Sequence, residues 1–306
     1  MRSMHFFGFC LVILLAMLIA NSGSTQNLSE TSSFEKIQLM IRCDDIGMCH
    51  TVNLAAQQMI NTGLPFSASV MFVCPWYQEA VDILKGHPEI SVGVHLTLNA
   101  EWKNYRWGPI LGQGGVPSLV DSCGYFFPSR KLFFDNNPKI EEVEMELRAQ
   151  IGRALQSGLR IDYVDYHMGT AVDTPELRAL VERLAREYGL GISRYFGEKD
   201  MKSIYSVAPA HKTDSLVAIV KRLEPGTPHL AVFHIGMETP EMNALVDLNP
   251  GGLPQMSQHR QGELKALCSK KFKKILKAKN IRLVTYRDII AEVGLSNMKS
   301  PVNSGY

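Results

Sequence analysis

The chain lacks an excess of either charge. Its 306 residues carry 32 Lys and Arg against 30 Asp and Glu, a formal net charge of +2. Nucleic-acid binders cluster basic residues on one face, so the composition gives no electrostatic case for nucleic acid as a partner. The one basic run, Lys270-Lys271-Phe272-Lys273-Lys274, has the spacing of a solvated helix face. The cysteines form no C-x-x-C pair, which leaves neither a zinc ribbon nor a disulfide framework to organise the fold. Cys10 falls in the N-terminal segment, and Cys43, Cys49, Cys74, Cys123 and Cys268 are odd in number and irregularly spaced. Cys43 and Cys74 lie in apolar runs and read as small buried hydrophobes. Tandem repeats and an internal Pro-rich linker are also missing, so nothing divides the chain into separate modules.

Long apolar runs are likewise scarce. The only one spans Phe6 to Ala20, after Arg2 and His5 and before the small polar stretch Asn21 to Gln26. A basic start, an apolar centre and small polar residues describe a secretory signal peptide, and the apolar centre falls short of the ~20 residues of a membrane span. The sequence therefore reads as residues 1–26, signal peptide and start of a flexible leader; 35–295, one catalytic domain; and 296–306, a C-terminal tail. It predicts an exported protein, periplasmic or extracellular, with no membrane span once the signal is removed.

What is present is alternation of short apolar runs with amphipathic segments, the pattern of βα units around a parallel sheet. Strands are predicted at Ile37 to Cys43, Ser67 to Val73, Ile90 to Leu98, Ile161 to Tyr166, Ile192 to Tyr195, Leu230 to His234 and Ile281 to Thr285. Helices are predicted at Met48 to Ile60, Tyr77 to Lys85, Pro138 to Ser157, Thr174 to Tyr188, Asp214 to Leu223, Gln258 to Lys277 and Arg287 to Val293. Asn99 to Asn137 is a long irregular connection carrying Trp102, Tyr105 and Trp107, and connections this long are usually functional. The predicted fold class is α/β: a TIM-like (β/α) barrel of parallel strands, distorted or incomplete, with an open doubly wound sheet as the alternative.

In parallel α/β folds the chemistry gathers at the C-terminal ends of the strands. Asp44 and Asp45 end the first strand, His95 lies late in the third, Asp165 and His167 end another, and His234 follows Leu230-Ala231-Val232-Phe233. Each is ordinary alone, a helix cap or a hydrogen-bonded core histidine; together they offer carboxylates and imidazoles to one cavity. One carboxylate with two imidazoles suits a divalent metal that keeps positions open for water and substrate. A second carboxylate beside it can take a proton from the attacking water, and His234 can protonate a leaving amine.

These residues also carry a resemblance. Arg42-Cys43-Asp44-Asp45-Ile46-Gly47 resembles the A-D-D-F-G opening of the YdjC-like carbohydrate deacetylases. Gly93-Val94-His95-Leu96-Thr97-Leu98 is similar to their G-x-H-L-T-L strand, and Asp162 to His167 to their H-x-D-S-H segment. Phe233-His234-Ile235-Gly236 falls where they have His-Pro, and Arg260-Gln261-Gly262-Glu263-Leu264 matches a late R-x-x-E-L element. The chain departs from the pattern at Asp162, Ile46, Ile235 and Met168-Gly169, the last standing where the family commonly has further histidines. The resemblance implies a distorted barrel that removes acetyl groups from sugars such as chitooligosaccharides, distantly similar to NodB-type polysaccharide deacetylases. Carried over by position, it makes Asp45, His95 and His167 ligands of one Zn2+ or Mg2+ ion, Asp44 the catalytic base and His234 the acid. Arg260 and Glu263 would support the site.

The expected activity is therefore hydrolysis of acetyl groups from N-acetylated or O-acetylated oligosaccharides. Asp165, Trp102 and Trp107 are expected to support the site or bind substrate, the indoles as stacking faces for sugar rings. Two alternatives stay open at this point: a barrel glycosidase using Asp44 and Asp165, and a secreted sugar-binding protein that has lost catalysis. The oligomeric state, a homo-oligomer included, is left open by the sequence.

Overall fold

The computed structural model describes residues 36–301; the segment read as signal peptide and leader start, residues 1–26, lies outside them, as do 27–35 and 302–306. Among the described residues, parallel pairings join β1 (Gln38–Ile46), β2 (Ser67–Val70), β3 (Ser91–Leu96), β4 (Ile161–Tyr166), β5 (Gly191–Ile192), β6 (Lys199–Asp200), β7 (His229–Phe233) and β8 (Arg282–Val284). Their order is β5-β4-β3-β2-β1-β7-β6, with β8 paired to β1. One edge of β1 is shared: Gln38 to Met40 pair with β8, and pairing with β2 begins at Arg42. The sheet curls into a half-barrel with flanking helices, a distorted α/β barrel.

The helices are α1 (His50–Ile60), α2 (Tyr77–Lys85), α3 (Ile140–Gln156), α4 (Pro175–Tyr188), α5 (Lys212–Val220), α6 (Met256–Cys268), α7 (Lys270–Ala278) and α8 (Tyr286–Val293), with shorter turns between. Local chemistry sets their ends. The Thr174 hydroxyl accepts from the Leu177 N–H, Pro175 opens α4, and Gly189 stops it in the left-handed region at φ 66°. The single helix predicted over Gln258 to Lys277 is two helices, because Ser269 is extended and its hydroxyl caps the Phe272 N–H at 3.1 Å. On α7, Lys270, Lys271, Lys273 and Lys274 are exposed around a buried Phe272. The strand predicted at Ile192 to Tyr195 ends at Ile192, and β6 is a strand the sequence pattern does not show. The long connection carries short helices at Gly112–Gly115 and Arg130–Asp135.

Strand side chains alternate between the two faces, and here the faces bury different things. Leu39, Ile41 and Cys43 of β1, Val92 and Val94 of β3 and Val164 of β4 join the layer under the helices. Met40, Tyr163, Leu230, Val284 and Tyr286 form a smaller apolar floor inside the curl. The Tyr163 ring lies directly over Gly93, where an added Cβ would sit 2.4 Å from it. That glycine admits the ring and so sets the floor beneath His95, the next inward residue of β3.

Candidate metal centre

Above this floor the inward positions turn polar. β1 bulges between Cys43 and Ile46, and Asp45 takes φ 62°, a left-handed conformation that Asp tolerates better than most residues. The bulge lets adjacent aspartates both line one cavity of about 150 Å³. Asp45 Oδ1 lies 3.4 Å from His95 Nε2 and 3.3 Å from His167 Nδ1, and those two nitrogens are 3.3 Å apart. All three residues are buried, and among the described residues Asp45 Oδ1 has no partner in hydrogen-bond geometry, only the two imidazole nitrogens at 3.3 and 3.4 Å. A buried acceptor left unpaired is costly, and a cation is the partner its surroundings fit. A tetrahedral ion with bonds of about 2.0–2.1 Å spaces its ligands about 3.3–3.4 Å apart, the spacing of this triangle.

Each donor is held from behind. Asp165, directly across from His95 in the β3–β4 pair, lies 3.0 Å from its Nδ1, which leaves Nε2 facing inward. Glu101 Oε2 lies 2.9 Å from His167 Nε2. Arg260 donates to Asp45 Oδ2 at 2.6 Å, leaving Oδ1 for the centre. Burial alone would raise the Asp45 carboxyl, but the Arg260 guanidinium and the two imidazoles hold it well below the usual range. Burial alone would lower His95, whereas the Asp165 and Asp44 carboxylates push it up to about 10. For His167 the same burial is overcome by Glu101 and Asp45, to about 9.

Asp44 also borders the cavity. Both its oxygens accept from Arg42, at 2.7 Å each, and Arg42 Nε lies 3.1 Å from Asp165 Oδ2. Arg42, Asp44 and the floor residue Met40 are successive inward positions of β1. Asp44 and Asp165 thus converge on one guanidinium instead of flanking an open cleft, an arrangement unlike the pair a glycosidase requires. Asp165 is wholly buried and supports His95.

Half-buried His234 follows β7, the strand paired to β1 through Cys43 and Phe233, and lines the same cavity as Asp44. Its backbone N–H donates to Glu263 Oε2 at 2.7 Å, and its ring lies 5.2 Å from that of Tyr205, edge to face. Among the described residues its buried Nδ1 has no partner. Lys212, fully buried, donates to Glu263 Oε1 and to the carbonyls of Ile204 and Tyr205. Glu263 therefore acts beneath the cavity, through the backbone that presents His234.

The indoles need correction. Trp102 and Trp107 are 1% and 4% exposed, so neither offers a free face to a sugar ring. Trp102 packs under the Arg260 guanidinium at the cavity wall, and Trp107 donates its Nε1–H to the Asn99 carbonyl. Both tie the long connection down. Sequence reasoning assigned no role to Glu101, Arg42 or Lys212. Strand periodicity is the signal that could have found Arg42, two residues before Asp44 on the same face; Glu101 and Lys212 are placed by tertiary contacts that leave no local pattern.

The match to known proteins spans most of the chain. Residues 38–278 match the YdjC-like protein family. A carbohydrate deacetylase of Brevibacillus brevis is 27% identical over 263 residues, covering 83% of this chain and 100% of that one. A carbohydrate deacetylase of Thermus thermophilus is 32% identical over 232 residues, covering 68% of this chain and 81% of that one. A solved structure from Enterococcus faecalis V583, described as a candidate cellobiose-phosphate cleavage protein, superposes with a TM-score of 0.68 at 24% identity. It covers 82% of this chain and 98% of its own, and it shows the shared fold. With a family match over residues 38–278 and the strand-end residues gathered in one cavity, the chain belongs to the YdjC-like family.

Proposed function

We propose that this chain is an exported, metal-dependent hydrolase that removes acetyl groups from N-acetylated or O-acetylated oligosaccharides. The observation that carries the reading is the triangle of Asp45 Oδ1, His95 Nε2 and His167 Nδ1, with Oδ1 buried and unpaired. The name carbohydrate deacetylase, borne by relatives that align along most of their length, supplies the substrate class. A divalent cation held by these three residues would polarise the acyl carbonyl and acidify a bound water.

The protein's own groups divide the remaining work. Asp44, its plane fixed by two hydrogen bonds from Arg42, accepts the proton of the attacking water. His234, which lines the same cavity from the end of β7, delivers a proton to the departing nitrogen or oxygen as the acyl bond breaks. Arg260 holds Asp45 by Oδ2 alone, so the other oxygen stays available. Two imidazoles among the three donors favour zinc over magnesium, which prefers oxygen ligands.

The test is acetate release from a panel of acetylated oligosaccharides by chelator-treated protein, with and without added Zn2+ or Mg2+. Release that returns only with metal is expected, zinc being the more effective. Release that persists after complete metal removal, or none from any acetylated sugar, overturns the reading. Export rests on residues 1–26 and is checked by N-terminal sequencing of secreted protein, expected to begin between Asn21 and Asn27.

A further inference from the structure

We propose that Glu101 is a positioning residue of the metal centre, whose carboxylate turns His167 so that Nδ1, and not Nε2, is the metal-binding atom. The inference rests on the metal-centre reading above and assigns a residue that the strand-end pattern does not reach.

The two histidines of the triangle enter it in opposite senses. His95 is set by its strand: Asp165 takes Nδ1 from the neighbouring strand, and Nε2 is what remains. His167 has no such neighbour. It lies just past β4, where the next two residues, Met168 and Gly169, have φ of 53° and 76°. Its ring is fixed instead by Glu101, whose Oε2 lies 2.9 Å from Nε2, leaving Nδ1 toward Asp45.

Glu101 is itself held in place. Its carbonyl accepts from the Leu248 N–H at 2.8 Å, and the Lys103 N–H donates to the Val246 carbonyl at 2.8 Å. Trp102 and Asp247 form the antiparallel bridge between these two bonds, and the Trp102 ring packs under Arg260. The long connection after β3 is thus stapled to the segment before α6, and Glu101 is its inward-facing carboxylate, 5% exposed. A carboxylate this buried needs a partner, and the His167 ring N–H supplies one to Oε2. Outer partners of this type fix which ring nitrogen binds and are worth about 10–100-fold in metal affinity.

The experiment measures Zn2+ affinity by chelator competition for the wild type, Glu101→Ala and Glu101→Gln, together with melting temperatures of the metal-free proteins. Glu101→Ala is expected to weaken binding by about 10–100-fold. Glu101→Gln, which keeps the volume and an acceptor oxygen but not the charge, should fall between. In 113Cd-loaded wild type, coupling should appear to His95 Nε2 and His167 Nδ1, and the His167 coupling should move or vanish in Glu101→Ala. The assignment is overturned if a variant that melts normally binds Zn2+ as the wild type does, or if wild-type coupling runs through His167 Nε2. A wild type that binds no divalent cation is a separate failure, that of the metal-centre reading itself.

Discussion

Along β1 the outward side chains are Leu39, Ile41 and Cys43, and the inward ones are Met40, Arg42 and Asp44. Along β4 the outward residue is Val164, and the inward ones are Tyr163 and Asp165. The same strands therefore build two interiors. The outer one, beneath the helices, is held by apolar burial, which has no direction and scales with area. The inner one carries Arg42, Asp44, Asp45, His95, Asp165, His167 and Arg260, each no more than 5% exposed. Every charge there must be matched by a partner in the right place. The difference teaches where damage goes: errors in the outer layer cost stability, and errors in the inner layer cost chemistry.

The largest expected effect follows from the inner layer alone. Asp44→Asn keeps the shape of the side chain and touches none of the three proposed ligands. Turnover of the folded, metal-loaded fraction should fall about 10²–10⁴-fold, the usual contribution of a general base, while metal content stays near wild type; the melting temperature falls as well, because the new amide sets a donor against Arg42. Near-normal turnover in the metal-loaded variant would remove Asp44 from the chemistry. On the outer side, Leu147 of α3 is fully buried against the sheet. Leu147→Ala should cost about 2–5 kcal/mol of stability, read by urea denaturation, with kcat of the folded fraction unchanged. A variant that folds well but turns over poorly would break the division between the two layers.

The inner layer should also respond to pH where the outer does not. In the metal-free site His95 and His167 are pushed up to about 10 and about 9, so below pH 9 both rings carry a proton. A cation binds only the neutral imidazole, so uptake must displace those protons. Apparent affinity should rise with pH, by up to about a hundredfold per unit below pH 9, or about 2.7 kcal/mol, and level off above about pH 10. Calorimetry in two buffers of different ionisation enthalpy counts the protons released. Release of none at pH 7 would show that the free site already holds neutral rings.

How much of this was readable beforehand follows from range. β4 runs over Ile161–Tyr166 as its apolar pattern predicts, and α4 begins at Pro175 and ends before Gly189 because caps and turns are local signals. The strand-end residues Asp44, Asp45, His95, His167 and His234 could be placed together by fold rules, and they do share one cavity. A two-residue strand such as β6 has no periodicity to detect. The break at Ser269 hides inside a helical pattern, since one capping hydroxyl decides it. Glu101 was invisible because a bridge to Asp247, far along the chain, carries it to His167. The exposed stacking role of Trp102 and Trp107 failed for the same reason: aromatic identity is local, whereas burial is decided by what folds over it.

Gly93 joins the two interiors and gives the smallest, most informative perturbation. Its neighbours Val92 and Val94 face the outer layer, while its own Cα faces the Tyr163 ring on the floor. A Cβ there would lie 2.4 Å from the ring, so either the ring or the strand must move. The ring is not free to yield, because its hydroxyl is 2.8 Å from Ser69 Oγ and its face stacks on Tyr286 at 4.2 Å. Overpacking of this kind costs about 1–3 kcal/mol, so Gly93→Ala should lower the melting temperature by several degrees. His95 is two residues on along the same face, and a shift of β3 moves it relative to Asp45. Metal affinity should therefore fall with stability, whereas in Leu147→Ala stability falls alone. Replacing Tyr163 by Leu in the Gly93→Ala chain removes the ring that clashes. The double variant should bind metal more tightly than Gly93→Ala does; if the two losses simply add, the floor does not set the height of the site, and the coupling between the layers lies elsewhere.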